Sequence, residues 1–128
     1  MKKKIKVFIF VIISIVAVLT TGIFAITRNL TSMMEVKLNG VDVAALNEGD
    51  YTGTFKRGRF TNTLTVHIEN HTIIGINLNN DVLIAQVEIS EDVSRKVIES
   101  QNTDIDAISG ATVTTNAYLM AIEDALND

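Results

Sequence analysis

Ser109, Thr112, Thr114 and Thr115 crowd into one short stretch near the C-terminal end, with Gly110 and Ala111 between the first two. An apolar repeat follows at once. Val113, Ala117, Ala121 and Ala125 recur every four residues, with Tyr118, Ile122 and Leu126 beside them. That spacing predicts a helix over residues 113–126. Asn116, Glu123 and Asn127 fall on the other side, so the helix is expected to be amphipathic with those three facing solvent. The hydroxyl cluster then lies where the helix begins. The first turn of a helix leaves backbone N–H groups without partners, and the macrodipole adds partial positive charge. A phosphate is a natural ligand for such a terminus. Gly110 lets the backbone bend or approach a ligand closely, Ala111 adds little bulk, and Thr112 offers an oxygen where the phosphate would sit. An ordinary N-cap with a turn glycine fits the same residues, and spacing alone leaves both readings open.

The rest of the chain offers little other chemistry. Asp104 and Asp106 form an acidic pair on the preceding loop, a pattern more typical of turns than of catalysis. His67 and His71 face each other across an expected hairpin, with no third metal ligand evident nearby. Lys56, Arg57 and Arg59 form a basic turn, read either as a contact for phosphate or a redox partner, or as a solvated hairpin tip. No His-paired nucleophile, metal-ligand cluster or Walker loop is evident. The sequence has no cysteine, which excludes disulfides, thiolate chemistry and a lipoprotein anchor. Aromatic residues make up 5% and tryptophan is absent, so a stacked ring would find few aromatic partners.

The stretch Asp106-Ala107-Ile108-Ser109-Gly110-Ala111-Thr112 resembles the D-x-x-[ST]-G-A-T motif of the FMN-binding domain family. That family includes domains in the C subunit of sodium-pumping NADH:quinone oxidoreductase and in the G subunit of the Rnf complex. Glu48-Gly49-Asp50-Tyr51-Thr52-Gly53-Thr54 is similar to the family's opening D-G-x-Y-x-G strand. Residues 67–75 resemble its hairpin, with Asn70 or His71 where a glycine is usual at the turn, and Thr115 stands where many members have Ser. The likeness spans roughly residues 48–126. It implies FMN as cofactor, joined through a phosphoester to Thr112 by a separate flavin transferase. It further implies that Ser109, Gly110 and Ala111 position that threonine, that the N–H groups of Thr112, Val113 and Thr114 hold the phosphate, and that Asp106 is read by the modifying enzyme.

Several elements must position this motif. Residues 50–55, 63–68 and 72–78 alternate apolar and polar side chains and read as strands, the last two joined by a tight hairpin at 69–71. Residues 82–89 are β-rich and read as a further strand. Ser90 is expected to cap a helix running to about Gln101, with Val93, Val97 and Ile98 as its buried stripe. The expected fold is α+β, a small, mainly antiparallel sheet covered by two helices.

Lys2, Lys3, Lys4 and Lys6 precede an apolar run over residues 7–26. About twenty apolar residues suffice to cross a bilayer, and no A-x-A cleavage site follows. The expectation is an uncleaved single-pass anchor over 1–27, a spacer over 28–47 and an FMN-binding domain over 48–128. The basic flank places the N-terminus in the cytoplasm and the domain outside it. All 15 acidic residues lie beyond the anchor, against seven Lys and Arg (11 in all, less the four N-terminal lysines), so the outer portion carries a net charge near −8. That balance disfavours nucleic acid and adhesion to an anionic leaflet by charge alone.

Together these features lead to an extracytoplasmic, membrane-anchored flavoprotein. It would carry electrons between a membrane donor and an outside acceptor and be the substrate of a flavin transferase rather than a stand-alone enzyme. Two other readings stand beside it: a module that binds FMN or another phosphate ligand non-covalently, and a structural subunit of a membrane redox complex.

Overall fold

The computed structural model describes residues 1–127, which form two compact units that divide after Glu35. The first is a single helix, α1 (Lys2–Met34), of 33 residues. Its hydroxyls fold back onto the preceding turn. Ser14 Oγ donates to Phe10 O at 2.9 Å, and Thr21 Oγ1 to Ala17 O at 2.7 Å. Such bonds hide polar groups that an apolar solvent would not satisfy. The helix is long and apolar enough to cross a membrane, with a mean hydropathy of 2.8 over its most apolar window. It continues past the expected end of the anchor, so the first part of the 28–47 spacer is helical.

The second unit starts at Val36 and is built on a three-stranded antiparallel sheet in the order β1 (Gly49–Phe55), β2 (Asn62–Glu69), β3 (Thr72–Asn80). Pairs such as Gly53↔Leu64 and Val66↔Ile76 set the register. Leu64, Val66, Ile68 and Ile73 are buried on the inner face. The other face carries a polar ladder in which Thr52 and Thr65 meet at 3.0 Å and Thr54 and Thr63 at 3.1 Å. The β2–β3 turn places Asn70 and His71 at φ 50 and 57, the left-handed pair that a two-residue hairpin requires. His71 is held there by its Nδ1, 2.8 Å from Leu46 O.

Two helices cover the inner face: α2 (Val87–Ser100) and α3 (Thr112–Leu126). Helix α3 lies across β1 and β2, while α2 touches β3 and α3. Small residues allow the close approach. A Cβ on Gly53 would come within 2.0 Å of Ala121 O and 2.5 Å of Ala125 N, so β1 and α3 meet backbone to backbone at that point.

Three expectations need correction. Residues 82–86 form no strand. Asp81 Oδ1 takes the Val82 N–H at 2.7 Å and Arg59 O takes the Leu83 N–H at 2.9 Å, which diverts the backbone from any ladder. Helix α2 begins at Val87 with Gln86 as its N-cap, and Ser90 lies inside it, bonding back to Val87 O at 2.9 Å. Finally, α3 has no solvent face bearing Asn116 and Glu123, which are only 8% and 5% exposed. Residues 36–46, read above as part of a spacer, explain this burial. Val43 belongs to the hydrophobic core with Leu38, Val41 and Leu46 packed against it. The Glu123 carboxylate accepts the N–H groups of Asn39 and Gly40, each at 2.9 Å, and the Thr103 hydroxyl at 2.7 Å.

Candidate functional site

The motif enters α3 through a tight turn. Ala111 N–H donates to Ile108 O at 2.9 Å, and Gly110, third residue of that turn, sits at φ 78. This is the left-handed position for which a glycine is suited. The first intrahelical bond then runs from Thr115 N–H to Ala111 O at 2.9 Å, and no side chain caps the helix. The N–H groups of Thr112, Val113 and Thr114 therefore have no hydrogen-bond partner among the described residues.

The hydroxyls divide in the same way. Thr115 is fully buried, donates to Ala111 O at 2.7 Å and accepts the Ile108 N–H at 3.3 Å, so it holds the turn together. The half-buried Thr112 and Thr114 have hydroxyls with no partner among the described residues. Ser109, Gly110 and Asp106 are exposed on the loop before them.

Beside this turn lies an open cavity of about 200 Å³. Gly110, Ala111 and Thr114 form one wall, and Arg59, Phe60, Val82, Ile84, Gln86 and Ile89 the others. Thr112, Val113, Ser109 and Asp106 are not part of the wall. The Arg59 guanidinium stacks over the Phe60 ring at 4.9 Å and brings a positive charge to the rim. Two ties fix the rim to α3. Asn62, itself fully buried, donates from Nδ2 to Phe60 O and Ala117 O, both at 3.1 Å. Tyr118 donates its hydroxyl to Asp81 Oδ1 at 2.5 Å, and burial, reinforced by that carboxylate, raises the phenol well above its ordinary pKa of 10.0.

The sequence reading therefore finds one wall of the cavity and misses the rest. Arg59 had a signal in the basic turn 56–59, which joins β1 to β2 and brings Arg59 to the cavity wall. Val82, Ile84, Gln86 and Ile89 were hidden by the strand expected over 82–89, and Phe60 carried no signal of its own. The two histidines engage different partners. His67 Nδ1 bonds Asp50 Oδ1 at 2.5 Å and its Nε2 meets Asn77 Nδ2 at 2.9 Å, whereas His71 bonds the Leu46 carbonyl. Among the described residues no group of three His, Cys, Asp or Glu is placed to hold a metal.

Residues 29–127 match the family described as the FMN-binding domain, and the chain belongs to that family. FMN is accordingly its cofactor. The matched region starts ahead of residue 48 and takes in the segment that packs against Glu123. No curated protein matches the chain. The site has what a flavin phosphate needs: unpartnered donors at a helix terminus, a hydroxyl that nothing else uses, and a cationic rim.

Proposed function

We propose that this protein is an extracytoplasmic, membrane-anchored electron carrier with FMN joined to Thr112 by a phosphoester. The observation that carries the reading is the contrast among the threonines of one helical turn: Thr115 is fully engaged, whereas the hydroxyls of Thr112 and Thr114 have no partner among the described residues beside three unpartnered N–H groups, and the family-like motif ending at Thr112 selects that one of the two. Bound FMN supplies redox chemistry that none of these side chains offers. The chain's own part is to hold and to shield. The N–H groups of Thr112, Val113 and Thr114 take the phosphate oxygens, Arg59 adds a screening charge, and Phe60 and Ile84 offer apolar surface to the ring.

Attachment requires Thr112 Oγ1 to attack phosphorus, lose its proton and displace the group that the donor's phosphate carried. No side chain in the turn is placed as a base for this, which suits installation by a separate flavin transferase. The exposure of Asp106, Ser109 and Gly110 makes the motif accessible to such an enzyme. The cavity is also smaller than the roughly 300–1,000 Å³ of sites that enclose a ligand. A flavin ring seated there keeps one side open to a donor and an acceptor. The four N-terminal lysines support an orientation with the short end of α1 in the cytoplasm and the domain across the membrane.

Intact-mass measurement tests the proposal. Protein produced with an active flavin transferase is expected to gain the mass of an esterified FMN on the peptide containing Thr112, and to keep it through denaturation. A second reading, non-covalent FMN binding, is favoured by the same three N–H groups, which bind a phosphate without a covalent bond. It predicts a flavin that is lost on denaturation.

A further inference from the structure

The two outer edges of the sheet are treated differently. On β1, Asp124 Oδ2 takes the outward Thr54 N–H at 2.8 Å, and Asp50 adds a charge. On β3, Gln101 closes the edge at one residue only. Its side-chain amide accepts the Ile73 N–H at 2.7 Å and donates to Ile73 O at 3.0 Å, as a neighbouring strand would. Beyond Ile73, nothing among the described residues bonds the outer backbone of β3. Charges and proline commonly keep an open edge from pairing, and β3 has neither in its nine residues. Its two register shifts fall outside the regular run 75–78. Between β3 and α2 lies an open groove of about 430 Å³. Ile76, Leu78 and Ile98 give it apolar walls, and Glu91, Ser94 and Arg95 line it from the helix. It shares no residue with the flavin cavity.

We propose that a second copy of this chain covers the groove, its β3 pairing antiparallel with this one about a two-fold axis at Asn77. Such an interface must match itself. Ile76 pairs with Val66 and Leu78 with Leu64, so both lie on the inner face of the sheet. Asn77 and Asn79 lie on the other face, bonded to His67 and Thr65. About an axis at Asn77, Ile76 falls opposite Leu78 of the second copy, and Gly75 opposite its Asn79. Apolar side chains then meet on one face and small uncharged ones on the other. Charge favours a second copy as the occupant. Beyond the anchor the chain carries a net charge near −8, so two copies repel unless they meet on a neutral surface, and β3 is one. On α2, Glu91, Arg95 and Glu99 alternate in sign at four-residue spacing. Gln101 fixes the end of α2 at Ile73, and the helix runs back along β3 until Ser90 and Glu91 line the groove with Leu78. From Ile73 to Asn77 the strand advances about 12 Å, which is about eight residues of helix. The axis therefore passes α2 at about residue 93, and Glu91 faces Arg95 of the second copy, twice by symmetry. Arg95 has donors to spare: Asp92 holds Nη2 at 2.6 Å, but Glu99 stands 3.8 Å from Nη1. The pair joins two sheets into one.

The absence of cysteine makes the test direct. Single-cysteine variants Asn77→Cys and Thr52→Cys of the full chain, in the membranes of the producing cells, are treated with a short bismaleimide. Both sites are exposed on the same face of the sheet, with Thr52 on the opposite edge strand. Asn77→Cys is expected to give a cross-linked dimer and Thr52→Cys to stay single. Equal cross-linking of Thr52→Cys overturns the proposal, because random encounters would then account for both. So does Asn77→Cys that stays single, or that joins a protein of another mass, because a foreign strand would then hold the edge. Adding Arg95→Glu to the Asn77→Cys chain sets like charges across the axis and is expected to lower the cross-linked share about fivefold. Adding Glu91→Arg to that chain restores the opposite-charge pair and is expected to recover the cross-link. Unchanged cross-linking with Arg95→Glu, or no recovery with Glu91→Arg, overturns the two-fold arrangement.

Discussion

The two ends of helix α3 treat polar groups in opposite ways. At the C-terminal end every polar side chain finds work. Glu123 gathers the Asn39, Gly40 and Thr103 donors, Asp124 Oδ2 takes the Thr54 N–H at 2.8 Å, and Asn127 Nδ2 donates to Gly40 O at 3.1 Å. At the N-terminal end, the N–H groups of Thr112, Val113 and Thr114 and the hydroxyls of Thr112 and Thr114 have no partner among the described residues. Folding alone explains the first end, because a buried carboxylate is tolerated only when fully bonded. The second end faces the open cavity, where water or a ligand can take the same donors.

The most severe break in this contrast is Thr112→Ala. Covalent FMN is expected to disappear entirely, while stability stays within about 0.5 kcal/mol because the hydroxyl bonds nothing in the fold. Thr112→Ser should restore the label. Mass spectrometry and a urea titration of the same samples check both halves. Persistent covalent flavin in Thr112→Ala would move the attachment site elsewhere.

The closed end should respond in the reverse sense. Glu123→Ala orphans the buried Thr103 hydroxyl and the part-buried N–H groups of Asn39 and Gly40 and is expected to cost about 3 kcal/mol, read as a lower urea midpoint, while flavinylation of the protein that still folds is unaffected. Gly53→Ala should cost about as much by a different route, since its Cβ has no room against Ala121 O and Ala125 N. A Glu123→Ala protein that kept full stability but lost the label would show that the two ends are not separable.

The contrast was only half legible in the sequence. The open end could be read because its signal is local: hydroxyls, a glycine and the start of a periodic run are all neighbours along the chain. The closed end could not, because the donors that bury Glu123 come from Asn39 and Gly40, more than eighty residues away, and a helical wheel sees only its own helix. Helix periodicity placed Glu123 on a polar side and said nothing of a segment that folds back to cover it. The loop over 82–86 failed for a related reason. Its alternation of apolar residues is genuine, but the backbone donors a strand would offer are taken by Asp81 and Arg59. Leu83 and Ile84 are left exposed as a result. The three strands were legible because hairpin partners lie close in sequence.

Gly110→Ala sharpens the open end on a smaller scale. A Cβ there meets nothing within 4 Å, so the only penalty is the left-handed backbone, about 1–2 kcal/mol. Part of that loss should appear as slower flavinylation by the transferase in a timed reaction, because the turn that presents Thr112 is the structure being strained. Unchanged labelling with lowered stability would confine the glycine to folding.

The smallest effect lies midway along α3, where Tyr118 ties the helix to Asp81. The folded-state pKa of this phenol is raised above 10.0, mainly by burial and then by the carboxylate. The fold therefore disfavours the phenolate. The Tyr118 contribution is complete below pH 10 and declines as pH rises above it, by at most about 1.4 kcal/mol per pH unit. Tyr118→Phe is expected to cost about 1 kcal/mol near neutrality, since Asp81 loses a donor but keeps the Val82 N–H. It should also flatten the alkaline fall in the urea midpoint, so the stability curves of the two proteins converge as pH rises. An alkaline slope of equal steepness in both would mean that the phenol titrates as freely as in the unfolded chain. In that case the middle of α3 would resemble its open end rather than its closed one.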